Sequence, residues 1–528
     1  MTIDFALDWI RRKVAPDEPR GSDTAVIARA ASVMGDPIDA QLLASILDMD
    51  LRQLLPCLDM GVAAELLHAP RSGAAGTYQV ADAEALAAAH HDMPFATRAA
   101  LHQRAAEYLK SASVPSTSDQ AARIATHHVA AAMWDQAFQS WLLATERAIE
   151  EAQGVLAVAH LERALAICRT HPGAISRLSE LSALSLLGPL VAQLNGSGAD
   201  AVIGVYARCL EITDELPDVD QSAHFDILWG LNASILVHGR IETAREMGAR
   251  LLSSARGAED VTKILLATRL QGLGSLLAGE IGQAIGNFNT VEQLYDAKHH
   301  APLRFRYASD QAAVAFAHKA WAQAIAGEFD ASERTSEAAL DLARLLRHAH
   351  TSAHVTCVLA ARAQTLRMRD RAAPLAFAGL TLARQFGFAY WEAWAEIVLG
   401  WHDGEGDPDA GIARIATAIA AYRRTGAGQA LPFAQLLVAG LHHAAGDRTA
   451  AVQASNAALD YSEAFGIRLF QSEILRTKAQ AVARSRERSA LLEAAIATAR
   501  RQGARLFEVR ASLVLQGKDN AASIALAG

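Results

Sequence analysis

The stretch that decides the fold runs from Ala383 to Ala427, ARQFGFAYWEAWAEIVLGWHDGEGDPDAGIARIATAIAAYRRTGA. A turn at Gly406 is followed five positions later by a second small residue, Gly411, and Gly387 and Gly426 mark helix ends. The same pairing of a turn glycine with a small residue returns at Gly239/Ala244, Gly279/Ala284, Gly327/Ser332 and Gly446/Ala451. Successive turn glycines lie 40, 48, 79 and 40 residues apart, and 79 is close to two repeats. The missing turn falls near Met368, in MRDRAAPLAF, with Ala373 at the small position. A second series, Gly387, Gly426, Gly466 and Gly503, is spaced by 39, 40 and 37 residues. Glycine just past a helix accepts the left-handed conformation of a C-cap. The two periods are independent and they agree.

Each unit therefore reads as two helices joined by a short turn. The small residue lets the second helix approach the first, and residues four and seven positions further on supply an apolar stripe. Trp134, Ala137, Trp141 and Ala144 follow this pattern, as do Ala157, Leu161 and Ala164. Tetratricopeptide repeats have this small/apolar pattern at a period of about 34, whereas HEAT and armadillo units run to about 40–47. The period here is HEAT-like and the turn chemistry tetratricopeptide-like; the elongated tetratricopeptide unit is the preferred reading. The expected fold is all-α, an α-solenoid over residues 120–512 whose stacked pairs offer an extended concave surface.

Residues 22–110 read differently. Helical runs at Thr24–Met34, Ala40–Leu47 and Leu51–Gly61 precede a short hairpin expected around Ser72–Gly76 and then an alanine-rich helix. Three helices and a hairpin make a winged-helix-like module. Residues 1–21 form an N-terminal extension, 111–119 (SASVPSTSD from Ser111) a polar linker, and 513–528 a tail.

Composition supports a helical protein. Of 528 residues, 51% are hydrophobic but only 6% aromatic, too few for a β-sandwich or barrel and too apolar for disorder. The net charge of −8 gives no reason to expect nucleic acid as a partner, and residues 1–110 carry ten Lys/Arg against fifteen Asp/Glu. The uncharged runs Leu181–Ala199 and Thr425–Gly446 are broken by glycine and polar residues, so no membrane span is expected. Cys57, Cys168, Cys209 and Cys357 lie far apart, which fits a reducing, cytoplasmic setting and no structural zinc. The N-terminus has the wrong charge order for a secretory signal. Arginine outnumbers lysine, which together with the alanine content suggests a GC-rich bacterial source.

The Ala383–Ala427 stretch resembles the C-terminal repeats of bacterial signal-transducing (STAND-type) ATPases fused to class III adenylate or guanylate cyclases. In order, IATHHVAAAMWDQAFQSWLLATERAI, ILWGLNASILVHGRIETAREMGARLL, YDAKHHAPLRFRYASD and LLEAAIATARRQGARLFEVRASL are similar to the same family, so the resemblance spans residues 22–512. It implies a cyclase, an ATPase domain, a winged helix and then this solenoid. The chain departs from that pattern at several points. It has no GxxxxGK[ST] loop to cradle phosphates, since Gly517-Lys518 is followed by Asp519. The histidine thought to sense nucleotide after the hairpin is absent from Gln79-Val80-Ala81-Asp82, and the family's Asp-Pro-Gly is Asp310-Gln311-Ala312.

The candidate ligand or partner site is the aromatic stretch Phe386, Phe388, Tyr390, Trp391, Trp394 and Trp401. These rings either line a concave groove, where aromatics make good anchors, or fill the gap between two repeats. His350 and His354, spaced i,i+4, put two imidazoles on one helix face, but no HExxH or carboxylate accompanies them, so no metal site is assigned. The arginines of 476–510 read as a solvated helix face rather than a site for an acidic partner. No catalytic residue and no cofactor are assigned.

The sequence is read as a non-catalytic regulatory scaffold that binds a protein, a peptide or a small-ligand effector. The family resemblance makes an ATPase or cyclase module its partner, with neither nucleic acid nor membrane involved. The alternative is a C-terminal fragment of an adenylate/guanylate cyclase–ATPase whose catalytic domains lie upstream. A transcription activator would need a C-terminal DNA-binding helix-turn-helix, for which the tail after Arg510 is too short.

Overall fold

A computed structural model describes residues 3–15, 22–70, 76–111, 117–216 and 221–518. Its packing divides the chain into two units, Met1–Ala183 and Leu184–Gly528. The hairpin turn expected around Ser72–Gly76 lies largely outside the described residues, as do most of the expected linker and tail.

In the first unit, α1 (Ile3–Val14) buries Ala6, Leu7, Ile10 and Val14 in the core, so the expected extension is a core helix. Helices α2 (Asp23–Ser32), α3 (Ala40–Leu47) and α4 (Leu51–Ala63) follow, with strand β1 (Ile38–Asp39) before α3. Strands β2 (Leu67–His68) and β3 (Thr77–Val80) pair antiparallel, β1 pairs with β3, and the order is β1-β3-β2. Ser22, Asp39 and Asp50 each cap a helix by accepting from its first free N–H groups, which fixes where α2, α3 and α4 begin. Helices α5 (Ala83–His91), α6 (Phe95–Ser111), α7 (Ser118–Ala130), α8 (Trp134–Glu150) and α9 (Gly154–Thr170) complete the unit. The first repeat helices thus pack with the N-terminal module.

Helix α10 (Arg177–Asn195) leads into the second unit, followed by α11 (Asp200–Glu215), α12 (Gln221–His238), α13 (Ile241–Gly257), α14 (Val261–Leu277) and α15 (Ile281–Leu294). A short α16 (Ala297–His300) and a 3-10 turn at Ala301–Phe305 interrupt the repeat. Then come α17 (Gln311–Ala326), α18 (Phe329–Leu346), α19 (Ala349–Thr365), α20 (Arg369–Phe386), α21 (Ala389–Asp403) and α22 (Pro408–Arg424). The last are α23 (Leu431–Ala444), α24 (Arg448–Phe465), α25 (Gln471–Ala481), α26 (Ser485–Gln502) and α27 (Arg505–Leu515). Consecutive helices pack as antiparallel pairs, and the array is an α-solenoid of tetratricopeptide-like hairpins.

Two kinds of helix alternate. Outer helices bury one stripe: α18 buries only Ser332, Ser336, Ala339 and Ala343, spaced as one helix face requires. Inner helices are buried all round, and α19 buries residues on every face from His350 to Thr365. The cause is closure. The inner α17 meets the last inner helix, α27, and Trp321, Phe433, Phe470 and Phe507 fill the centre with ring centroids 5.1–6.1 Å apart. An open concave surface was expected; in the second unit that side is packed.

Backbone clasps between distant turns complete the closure. Gly428 and Gln429 both donate their N–H to the Val237 carbonyl, and Arg468 and Leu469 donate theirs to that of Leu277. The loop after α10 meets the turn after α22 so closely that a Cβ on Gly426 would lie 1.9 Å from the Gly198 oxygen. Gly426 also has φ +69°, so glycine is required there twice over.

Candidate functional site

A cavity of about 110 Å³ lies within the second unit, walled by α10–α12, α14, α17, α19 and α21 and by the segment 306–309. Its walls are largely apolar, with Ala192, Leu236, Leu273 and Val358 among them. Tyr390, Trp391 and Trp394 of the expected aromatic site also line it. The other three members do not. Phe388 packs edge-on against His350, Phe386 stacks on Phe388, and Trp401 lies under the Arg369 guanidinium at 4.3 Å. Half of the aromatic stretch is thus wall of the cavity and half is packing between repeats.

The polar side of the cavity is built from α14, α17, α19 and α21. Arg269, 8% exposed, lines it, and among the described residues no carboxylate pairs with it and no hydrogen bond engages its guanidinium. Burial lowers its pKa to about 10, with Tyr390 opposing the shift, so it keeps its charge at neutral pH. An unpaired buried cation is costly, and native proteins normally place a carboxylate beside one.

Around Arg269 stand three imidazoles. His318 Nδ1 bonds the Val314 carbonyl at 2.8 Å and must carry the hydrogen there. His350 Nε2 accepts from Trp391 Nε1 at 3.1 Å, which leaves its Nδ1–H for Ser309 Oγ at 2.9 Å. His354 lies against the Trp391 ring, with centroids 4.2 Å apart. Burial lowers His318 and His350 to about 3, and burial together with His318, Arg269 and His350 holds His354 well below its usual range. All three are neutral at pH 7, so Arg269 is the cavity's single net charge.

Tyr390 supplies a second donor. Its hydroxyl accepts from Gln429 Nε2 at 2.7 Å and from the Tyr422 hydroxyl at 3.2 Å. With both acceptor positions used, its own hydrogen is left to donate. At the rim, Arg306 and Tyr307 both donate to Asp226 of α12, so this pair adds no net charge. Asp310, in the altered Asp-Pro-Gly position, caps α17 by accepting from the N–H groups of Ala312 and Ala313 and accepts the Tyr295 hydroxyl at 2.8 Å.

His350 and His354 do share a face, but their ring nitrogens face Ser309 and Trp391, and among the described residues no three metal-ligating side chains converge. Elsewhere, in the first unit, His90, His102 and His127 form a chain of imidazoles with successive nitrogens 2.9 Å apart. Arg510 of the C-terminal basic run is not on a solvated face. It is buried 3.7 Å from Glu473. Among the described residues no helix is long and apolar enough to cross a membrane.

No family model matches the sequence, and no curated protein is detectably similar to it. Solved structures with similar architecture include a signal transduction ATPase with numerous domains carrying a tetratricopeptide repeat sensor, from Pyrococcus horikoshii. It is 12% identical, spans 79% of this chain and 67% of its own, and has a TM-score of 0.32. The Cut9 of an APC/C Cut9–Hcn1 hetero-tetramer is 13% identical over 80% and 84%, with a TM-score of 0.46. A Rap protein complexed with competence and sporulation factor is 12% identical over 66% and 99%, with a TM-score of 0.39. At such values helical-hairpin arrays of unrelated function resemble one another, and the assignment as a tetratricopeptide-like solenoid rests on the helix packing described above.

Proposed function

We propose that this chain is a non-catalytic regulatory module that takes up a small signal molecule inside the second unit of its solenoid. The observation that carries this reading is the largely apolar cavity lined by a buried cation that has no partner among the described residues. A packed concave side favours a small ligand there over a peptide laid along a groove. The reading has two further parts, both resting on the sequence resemblance. Residues 22–110 act as a winged-helix-like head, and the module's partner is a cytoplasmic ATPase or cyclase, on another chain or in a longer parent protein.

Switching requires the ligand to prefer one arrangement of the module. Here the clasps at 198/426 and 237/428 supply the element that opens and recloses around a bound molecule. Amide hydrogen exchange on the full chain, with and without a small-metabolite library, tests the reading. Binding is expected to slow exchange in α14, α19 and α21 and at the clasps. If only peptides bind, with protection confined to outer helices, the reading fails.

A further inference from the structure

We infer that the ligand of this cavity is a small organic monocarboxylate with an apolar body, its carboxylate held by Arg269 and Tyr390. The inference rests on the small-ligand reading and adds the chemical class. Arg269 is 8% exposed, lines the cavity and has no anion paired with it among the described residues. A guanidinium presents paired N–H donors in a fork that matches a carboxylate, and such a charge-assisted pair is strongest where water is excluded.

Tyr390 supplies the next donor. Gln429 and Tyr422 both donate to its oxygen, so the hydroxyl hydrogen points to neither of them. Arg269 and Tyr390 line the same cavity of about 110 Å³, a space small enough for one ligand head to meet both.

Charge count chooses between anions. The cavity holds one cation, because His318, His350 and His354 are kept neutral and Arg306 is neutralised by Asp226. A phosphate dianion or a dicarboxylate would leave one negative charge buried without a partner; a single carboxylate leaves none. Shape chooses the rest. The remaining walls include Leu236, Leu273, Val358, Trp391 and Trp394, which take an aromatic ring or a short branched chain and offer little to a sugar.

The test uses the full chain and calorimetric titration with a panel of aromatic and aliphatic monocarboxylates, phenylacetate among them, each beside its primary amide. Wild-type protein is expected to bind at least one acid no less than tenfold tighter than its amide. R269M is expected to keep its fold by circular dichroism and to lose that ratio. Y390F, which keeps the ring and drops the hydroxyl, is expected to reduce it about threefold. A merely structural role for Arg269 would weaken acid and amide alike and leave the ratio unchanged, which overturns the inference. Binding of amides and other neutral molecules as tightly as acids also overturns it while leaving the small-ligand reading intact. If neither acids, amides nor the metabolite library protect the cavity helices, both fall.

Discussion

Two buried arginines in the second unit stand in opposite electrostatic circumstances. Arg476 of α25 donates twice to Glu473, at 2.8 and 3.1 Å, and Arg510 of α27 lies 3.7 Å from the same carboxylate. Burial pushes the Glu473 carboxyl up, but Arg476 and Arg510 outweigh it and hold it below its usual range. Arg269 of α14 is about as deeply buried, yet it faces a cavity and three neutral imidazoles. The first arrangement is complete and serves the fold. The second is complete only when something else supplies the anion.

The largest effect is expected at the completed site. Glu473→Gln leaves Arg476 and Arg510 buried without a counter-charge, and removing one partner of a buried pair costs about 3–5 kcal/mol. Denaturant unfolding followed by circular dichroism measures it. An unchanged midpoint would mean that these arginines reach water and that the contrast with Arg269 is false.

A smaller loss is expected at the close approach of the 198 and 426 turns. Gly426→Ala places a Cβ 1.9 Å from the Gly198 oxygen and a side chain at φ +69°. The left-handed conformation and the forced shift together cost about 2 kcal/mol or more. The loss is local: exchange protection should fall first in α10–α12 and stay high around Glu473. Uniform loss across the unit would show that clasp and core open together.

These two sites differ in how far the sequence exposes them. The repeat was legible because its turns need the left-handed backbone. Gly239, Gly279, Gly327 and Gly446 have positive φ, and so do the helix-ending Gly387, Gly426, Gly466 and Gly503. Gly406 does not, and the missing turn near Met368 is made by Arg367 at φ +60°. The small position there is therefore Ala372, fully buried, one residue before the expected Ala373. Ala132, Ala152, Glu259 and Arg347 make equivalent turns without glycine, so the glycine series does not mark them, and the first two units show only in the small/apolar pattern from Ala137 and from Ala157.

The cavity was half legible. Tyr390, Trp391 and Trp394 stood out by density, but closure depends on contacts between residues more than two hundred positions apart, such as Gly198 with Gly426, and no local pattern encodes them. One signal for Arg269 was present. It is the only charged residue between Lys263 and Glu280, in a helix buried on every side from Leu265 to Leu277. A lone charge within a stretch buried all round has to meet a partner or a cavity.

The third prediction reverses the sign of the first. Arg269→Met removes an unpaired buried charge and puts a flexible apolar chain into the space. Replacing buried charge by hydrophobic volume is neutral to stabilising, and here a gain of about 1 kcal/mol is expected in the ligand-free chain. A loss as large as that of Glu473→Gln would show that Arg269 holds a protein partner after all.

The smallest effect is in pH. His318 and His350 have folded pKa values of about 3 against 6.5 when unfolded, so the unfolded chain binds more protons between those values. Stability from these groups is complete above pH 6.5 and declines as the pH falls toward 3, whereas Glu473, held low, contributes stability that is lost only below its unfolded value of 4.5. Between pH 7 and 6 the cavity therefore responds and the Glu473 cluster does not. His102, His127 and His128 of the first unit respond with the same sign, so the cavity's share is read by difference. His318→Gln should lessen the drop in unfolding free energy over that interval by about 0.7 kcal/mol, the share of one histidine shifted this far. Glu473→Gln, despite its much larger loss of stability, should leave the same slope untouched. If His318→Gln steepens the drop instead, the imidazole beside Arg269 is protonated in the folded chain. The cavity then holds two positive charges, and a dianion, not a monocarboxylate, is what would neutralise it.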